Sequence, residues 1–206
     1  MAYRTNNKNA TQLWAIGLLL EVIGAAHRHY AEVVDAIGHD GASRTGATPC
    51  LTVAVLTDAL RQYRMEDGFR WSSRDKQASM VRGVLNGLTR EDVLTRFTGR
   101  GASGRDAKMW GPGEEWLYAE EIAADAANHA KVLVAEEVGR SNAAACIDQV
   151  GEYESRRDAL EAYRQNTFDT MYENGHPFAM SGYAEDAFIA LLKDNGWGDV
   201  FSEDWY

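Results

Sequence analysis

The chain has 206 residues, 45% of them hydrophobic and 25% charged, with 21 Lys/Arg against 31 Asp/Glu and a formal net charge of −10. This composition excludes a largely disordered chain, and the length allows one sizeable core or a small domain with a helical appendage. The two cysteines, Cys50 and Cys146, are too far apart in sequence for a metal-ligand spacing. We expect them to be free thiols in a reducing, cytoplasmic setting.

The charge is unevenly distributed along the chain. Residues 59–110 carry eleven Lys/Arg and six Asp/Glu, whereas residues 111–206 carry six Lys/Arg and twenty Asp/Glu. A basic segment beside an acidic half indicates two surfaces that face different partners.

The first region, residues 1–49, is predicted to be one helix followed by a connector. Thr11 can cap a helix that runs to about Ile37, and Gly38 ends it. Residues 38–49 are rich in Gly, Ser and Thr and predict the connector. The apolar part of the helix is too short to span a bilayer and lacks the flanks of an export signal, so we expect a buried helix and no membrane partner.

The second region, residues 50–113, contains the basic segment. Its apolar periodicity and β-branched runs predict two helices and two strands joined by a glycine-rich basic turn. The predicted elements are a helix from Thr48-Pro49 to about Arg64, a helix over 74–88, a strand over 93–98, the turn over 99–107 and a strand over 108–110.

The stretch VRGVLNGLTREDVLTRFTGRGASGRDAKMW, residues 81–110, makes this order of elements resemble a winged helix-turn-helix domain. The resemblance implies that the third helix enters the major groove, that Val93-Leu94 packs back on that helix and that the basic turn is the wing. It implies these nucleic-acid-binding residues: Arg74, Lys76, Gln77, Ser79, Arg82, Arg96, Arg100, Arg105 and Lys108. Clustered positive charge of this kind supplies sequence-independent affinity for DNA. The alternative is a solvated basic helix beside an ordinary hairpin in an α-rich domain.

The third region, residues 114–206, is predicted to be acidic and helical with an aromatic tail. Long helices are expected over 114–139 and 141–166, the second capped by Ser141, and a last helix opens at Ser181 and stops at Asn195-Gly196. This half is expected to dimerise, to bind a protein partner, to mimic nucleic acid or only to keep the chain soluble. Its candidate partner-binding residues are Glu120, Glu121, Glu136, Glu137, Phe201, Trp205 and Tyr206.

Motifs for catalysis or cofactor binding are missing from the sequence. The histidines lack partners at a metal-ligand spacing, and GRGASG lacks the Gly-Lys-Ser/Thr ending of a phosphate loop. We therefore expect no metal, no cofactor and no enzyme. The expected protein is mainly α, with a winged-helix-like unit flanked by long helices, and acts as a dimeric DNA-binding regulator. The alternative is a phage or mobile-element inhibitor, of anti-CRISPR or anti-restriction type, that acts through an acidic nucleic-acid-mimicking surface. A structural or assembly protein is a third class.

Overall fold

A computed structural model describes residues 8–45, 48, 50–62, 74–100, 105–173, 175 and 180–201. The mainly α fold expected from the sequence is confirmed. The described residues form α1 (Ala10–Thr45), β1 (Leu51–Thr52), α2 (Val53–Gln62), α3 (Arg74–Arg90), β2 (Leu94–Arg100), β3 (Asp106–Pro112), α4 (Ala119–Gln149), α5 (Arg156–Glu173) and α6 (Ser181–Asp194).

The chain divides into two compact units, Met1–Asn128 and His129–Tyr206. The sequence predicted boundaries after residues 49 and 113 instead. In the first unit α1 contacts α2, α3 and β3, so the N-terminal helix belongs with the basic segment and is not a separate region. The boundary between the units falls inside α4.

Helix α1 begins with a reciprocal cap. The Asn9 side chain accepts a hydrogen bond from the Gln12 N–H at 2.9 Å, and the Gln12 side chain accepts one from the Asn9 N–H at 3.2 Å. This is a capping box, which satisfies two backbone donors at once. The prediction of Thr11 as the cap was wrong, because Thr11 already lies inside the helix.

Gly38 interrupts α1 as the sequence predicted, with φ 75° and ψ 169°. The helix then resumes and runs to Thr45, so the predicted connector over 38–49 was wrong for residues 39–45. By length and composition alone, α1 is the one helix in the described part of the chain that could cross a membrane. Its apolar residues Leu13, Ile16 and Leu19 are fully buried within the fold.

The sheet of the first unit has the strand order β1-β3-β2, and both pairs are antiparallel. The sequence missed β1, in which Leu51 pairs with Trp110 and Thr52 with Met109. Helix α2 therefore starts later than the predicted Thr48-Pro49. Its first turn is capped by Thr52, whose hydroxyl accepts a hydrogen bond from the Val55 N–H at 3.3 Å.

The hairpin of β2 and β3 has the predicted order but longer strands. Arg96 lies opposite Trp110, and Thr98 lies opposite Lys108. Because side chains alternate between the faces of a sheet, these four residues share one face. On the same strand Leu94 is buried, and β2 contacts α3.

The second unit contains the rest of α4 together with α5 and α6. Its buried core consists of Ala143, Cys146, Ala159, Leu160, Phe188, Leu192 and Trp197. The predicted cap at Ser141 was wrong, because α4 continues through this residue. Ser155 is the actual cap of the next helix, since its hydroxyl accepts a hydrogen bond from the Asp158 N–H at 3.2 Å. Helix α6 begins at Ser181 and ends at Asp194 as predicted, and Gly196 follows it with φ 79°.

Candidate nucleic-acid interface

Helix α3 has one buried and one exposed face. Its buried residues recur at helical spacing: Gln77, Val81, Val84, Leu85 and Leu88. On the opposite side Lys76, Ser79, Arg82 and Gly83 are exposed, and Asn86 is half-buried. Steps of three and four residues place these five on a single stripe. We call them the α3 stripe.

Gln77 is not part of this stripe, which corrects its predicted role in DNA contact. It is only 4% exposed and lies beside Thr57, Leu60 and Val81. Its polar side chain is consistent with the DNA contact that the resemblance implies, but residue type alone does not decide which face of the helix it occupies. Its phase in the helix, four residues before buried Val81, puts it on the core side instead.

Three cations from three elements meet at a depression of about 340 Å³, which we call the basic pocket. Arg82 comes from α3, Arg96 from β2 and Lys108 from β3. The lining also includes Thr52, Val53, Ala54, Asn86 and Trp110. All three cationic side chains are exposed, and none forms an ion pair with a carboxylate among the described residues. The described lining of the pocket therefore carries only positive charge.

The sheet register explains why two of these cations are adjacent. Lys108 lies opposite Thr98, two residues along β2 from Arg96, so Arg96 and Lys108 are diagonal neighbours on one face. The buried Leu94 and Trp110 continue this face toward the core. Contact between α3 and β2 then brings Arg82 to the same place.

Trp110 forms part of the pocket lining although it is only 2% exposed. Its indole nitrogen is buried and has no hydrogen-bond acceptor within the described part of the chain. A buried N–H without an acceptor is costly, so in a native fold it calls for an explanation.

The structure describes only some of the remaining residues that were predicted to bind DNA. Arg105 is exposed immediately before β3. The side chains of Arg74 and Arg100, and all of residues 101–104 in the predicted wing, lie outside the described residues. Of the nine predicted residues, the structure therefore brings Arg82, Arg96 and Lys108 together.

The predicted acidic residues show no common site. Glu136 and Glu137 both pair with Arg140, at 3.4 and 3.3 Å. Glu120 and Glu121 are exposed in the first turn of α4.

The predicted aromatic tail is partly held by the fold. Phe201 packs against the core of the second unit, and the Lys193 ammonium lies 5.4 Å from its ring centroid. Its ring is therefore partly occupied by contacts within the second unit. Trp205 and Tyr206 lie outside the described residues.

A larger groove of about 690 Å³ lies in the first unit between α1 and the start of α4. Its walls are mostly apolar and include Trp14 and Trp116. Its charged residues are Glu21, Arg28 and Glu120, so the groove does not extend the basic surface. The described residues contain no group of three metal-ligating side chains.

Comparisons with protein-family models, curated proteins and solved structures find no match to this chain.

Proposed function

We propose that this protein binds double-stranded DNA as a dimeric transcriptional regulator, with α3 in the major groove and the β2–β3 hairpin as a wing. The observation that carries the proposal is the basic pocket. Its unpaired cations adjoin the α3 stripe, whose Lys76, Ser79 and Asn86 can contact phosphates and base edges. The major groove of B-DNA admits one α-helix, and such side chains supply donors for its base edges.

Gly83 supports a close approach of α3 to a partner. It lies in the exposed middle of the helix, and a Cβ built there would meet nothing within 4 Å. Glycine at such a position costs about 0.5–1 kcal/mol relative to alanine, and no packing against the described residues requires it. A helix that must come close to a groove gains from the missing side chain.

The proposal predicts a steep salt dependence of DNA affinity. Among the nine residues predicted to bind DNA, the exposed cations that the structure describes are Lys76, Arg82, Arg96, Arg105 and Lys108. If each neutralises one phosphate, log K should fall with log salt at a slope of about −4 to −5, which is several hundredfold between 50 and 200 mM. Fluorescence anisotropy with a random duplex measures this directly.

The double variant K76Q/R105Q tests the assignment to this surface. It should bind more weakly and reduce the slope by about two, because one phosphate contact is lost at each position. The matched control is R44Q/R61Q, which removes two exposed cations of the same unit that belong neither to the basic pocket nor to the α3 stripe. Absence of duplex binding at low salt would refute the proposal, and equal losses in both variants would refute the assigned surface.

We also propose a dimer, because a dimer can bind two DNA half-sites at once. Helix-turn-helix proteins commonly place two recognition helices about one DNA turn apart. Light scattering of the free protein and of its DNA complex tests this part, and a monomer in both would refute it. The inhibitor alternative stays a prediction, and no observation favours it: Glu136 and Glu137 share an ion pair with Arg140, and the predicted acidic residues form no common site.

A further inference from the structure

Cationic groups and hydrogen-bond donors dominate the lining of the basic pocket. Its polar side chains are two guanidinium groups, one ammonium group, the Asn86 amide, the Thr52 hydroxyl and the Trp110 indole, and no carboxylate is among the lining residues. Hydrogen-bond donors thus outnumber acceptors, and the charge is entirely positive. The ligand that complements such a lining is an anion with several acceptor oxygens.

The arrangement of the three cations is unfavourable without an anion. Arg82, Arg96 and Lys108 repel one another, and none of them forms an ion pair with a described carboxylate. Like charges gathered at one site destabilise the folded state. Groups that cost stability in the free protein are typical of binding sites.

Trp110 is an independent observation that points to a ligand. Its buried indole N–H has no described acceptor, and Trp110 is one of the residues that line the same pocket. A ligand oxygen that accepted this hydrogen bond would remove the cost of the unsatisfied donor.

The start of α2 adds to the same side of the pocket. Val53 and Ala54 line it and are the first two residues of this ten-residue helix. Helix N-termini carry partial positive charge and backbone donors that favour phosphate. This contribution supplements the cations and the indole.

We propose that the basic pocket is a phosphate-binding site that holds one phosphodiester of the DNA backbone. Arg82, Arg96 and Lys108 contact its oxygens, and the Trp110 indole donates a hydrogen bond to one of them. The inference rests on the proposed function for the source of the phosphate. It divides the interface in two: the pocket fixes the position of α3 on the backbone, and the α3 stripe contacts the groove.

The Trp110 indole N–H is the direct probe of the pocket. In two-dimensional ¹H–¹⁵N spectra of the full chain, assigned by triple-resonance experiments, its signal should move downfield when a short random duplex is added. Sodium phosphate, compared with sodium chloride at equal ionic strength, forms a second arm that tests free phosphate as the source.

The variant R96Q/K108Q should lose the indole shift and bind the duplex about tenfold or more weakly, since a charged hydrogen bond contributes about 1.5 kcal/mol or more. Its thermal midpoint should equal or exceed that of the parent chain, because a repulsive pair has been removed. The control R44Q/R61Q, with the same charge change, should keep the indole shift.

The outcomes separate this inference from the proposed function. Duplex binding without any indole shift would overturn the phosphate pocket and leave DNA binding intact. No duplex binding, with an indole shift in phosphate, would support the pocket, assign it to free phosphate and refute the proposed function. No shift in either arm overturns the pocket.

Discussion

Gly139→Ala should destabilise the second unit because α4 and α6 approach each other too closely there for a methyl group. A Cβ built at Gly139 would overlap the carbonyl oxygen of Ala184 on α6. It would also lie 2.9 Å from the carbonyl carbon of Ala184 and 3.0 Å from the backbone nitrogen of Phe188. These are backbone atoms, so no side-chain rotation can relieve the overlap, and one helix must move.

The expected magnitude is a balance of two terms. Alanine has a higher helix propensity than glycine and by itself would stabilise α4 by about 1 kcal/mol. Overpacking a well-packed core typically costs about 1–3 kcal/mol, occasionally more, and a clash with backbone belongs at the upper end. Movement of α6 would also disturb Phe188, which is fully buried in the core of this unit. We expect a net loss of about 2 kcal/mol, which lowers the midpoint of a unit of this size by roughly 8–16 °C.

Thermal unfolding followed by circular dichroism at the helical band measures the change. Gly83→Ala is the matched control, because the same substitution sits in an exposed helix interior with nothing within 4 Å of the added methyl. It should raise stability by about 0.5–1 kcal/mol. If Gly139→Ala leaves the midpoint unchanged or raises it as Gly83→Ala does, the close approach of α4 and α6 is wrong.

Two further predictions concern buried groups. Burial raises the pKa of both Cys50 and Cys146 from 9.0 to about 11, so at pH 8 iodoacetamide should alkylate them about a hundredfold more slowly than thiols of pKa 9.0. Because the pKa of each thiol is higher in the folded than in the unfolded chain, the free energy of unfolding that comes from burying the neutral thiols is fully present below pH 9 and is lost as the pH rises toward 11. Equal alkylation rates in the native and the denatured chain would contradict the burial. Glu185 accepts a hydrogen bond from Arg164 Nε at 2.6 Å between α5 and α6, with side-chain exposures of 23% and 36%, so Glu185→Gln should lower the free energy of unfolding by about 1 kcal/mol. A double-mutant cycle with Arg164→Met isolates the pair, and a coupling energy of zero would show that the pair adds nothing.

Local signals in the sequence predicted several elements correctly. The apolar spacing of α3, the β-branched run of β2 and the Ser181 and Gly196 ends of α6 are all close to their positions in the structure. These features depend on neighbouring residues only, which is why a single sequence can indicate them.

The features that the sequence predicted wrongly have a different cause. Each of them depends on contacts between residues that are distant in sequence, or on competition between nearby residues for the same role. Strand β1 has two residues and exists because Leu51 pairs with Trp110. Ser141 resembles a helix cap, but α4 runs on through it. Asn9, and not Thr11, caps α1 because Gln12 lies at the third helical position and completes the capping box.

The candidate site was partly predictable for the same reason. Arg82, Arg96 and Lys108 were candidates from charge and motif order. Asn86 could have been added, because it follows Arg82 by four residues and so shares its helix face. Trp110 could not, since its place beside the cations depends on the register of β3 with both of its neighbours.

The net charge of the chain is a poor guide to its partner. Residues 1–128 carry 15 Lys/Arg against 16 Asp/Glu, whereas residues 129–206 carry six against 15, so the excess of acid lies in the second unit. At physiological salt, exposed charges more than about 8 Å apart are largely screened. A bound phosphate therefore responds mainly to the charges that line its site, and no carboxylate lines the basic pocket. Affinity for DNA should accordingly follow substitutions at Arg82, Arg96 and Lys108 far more than changes to the total charge.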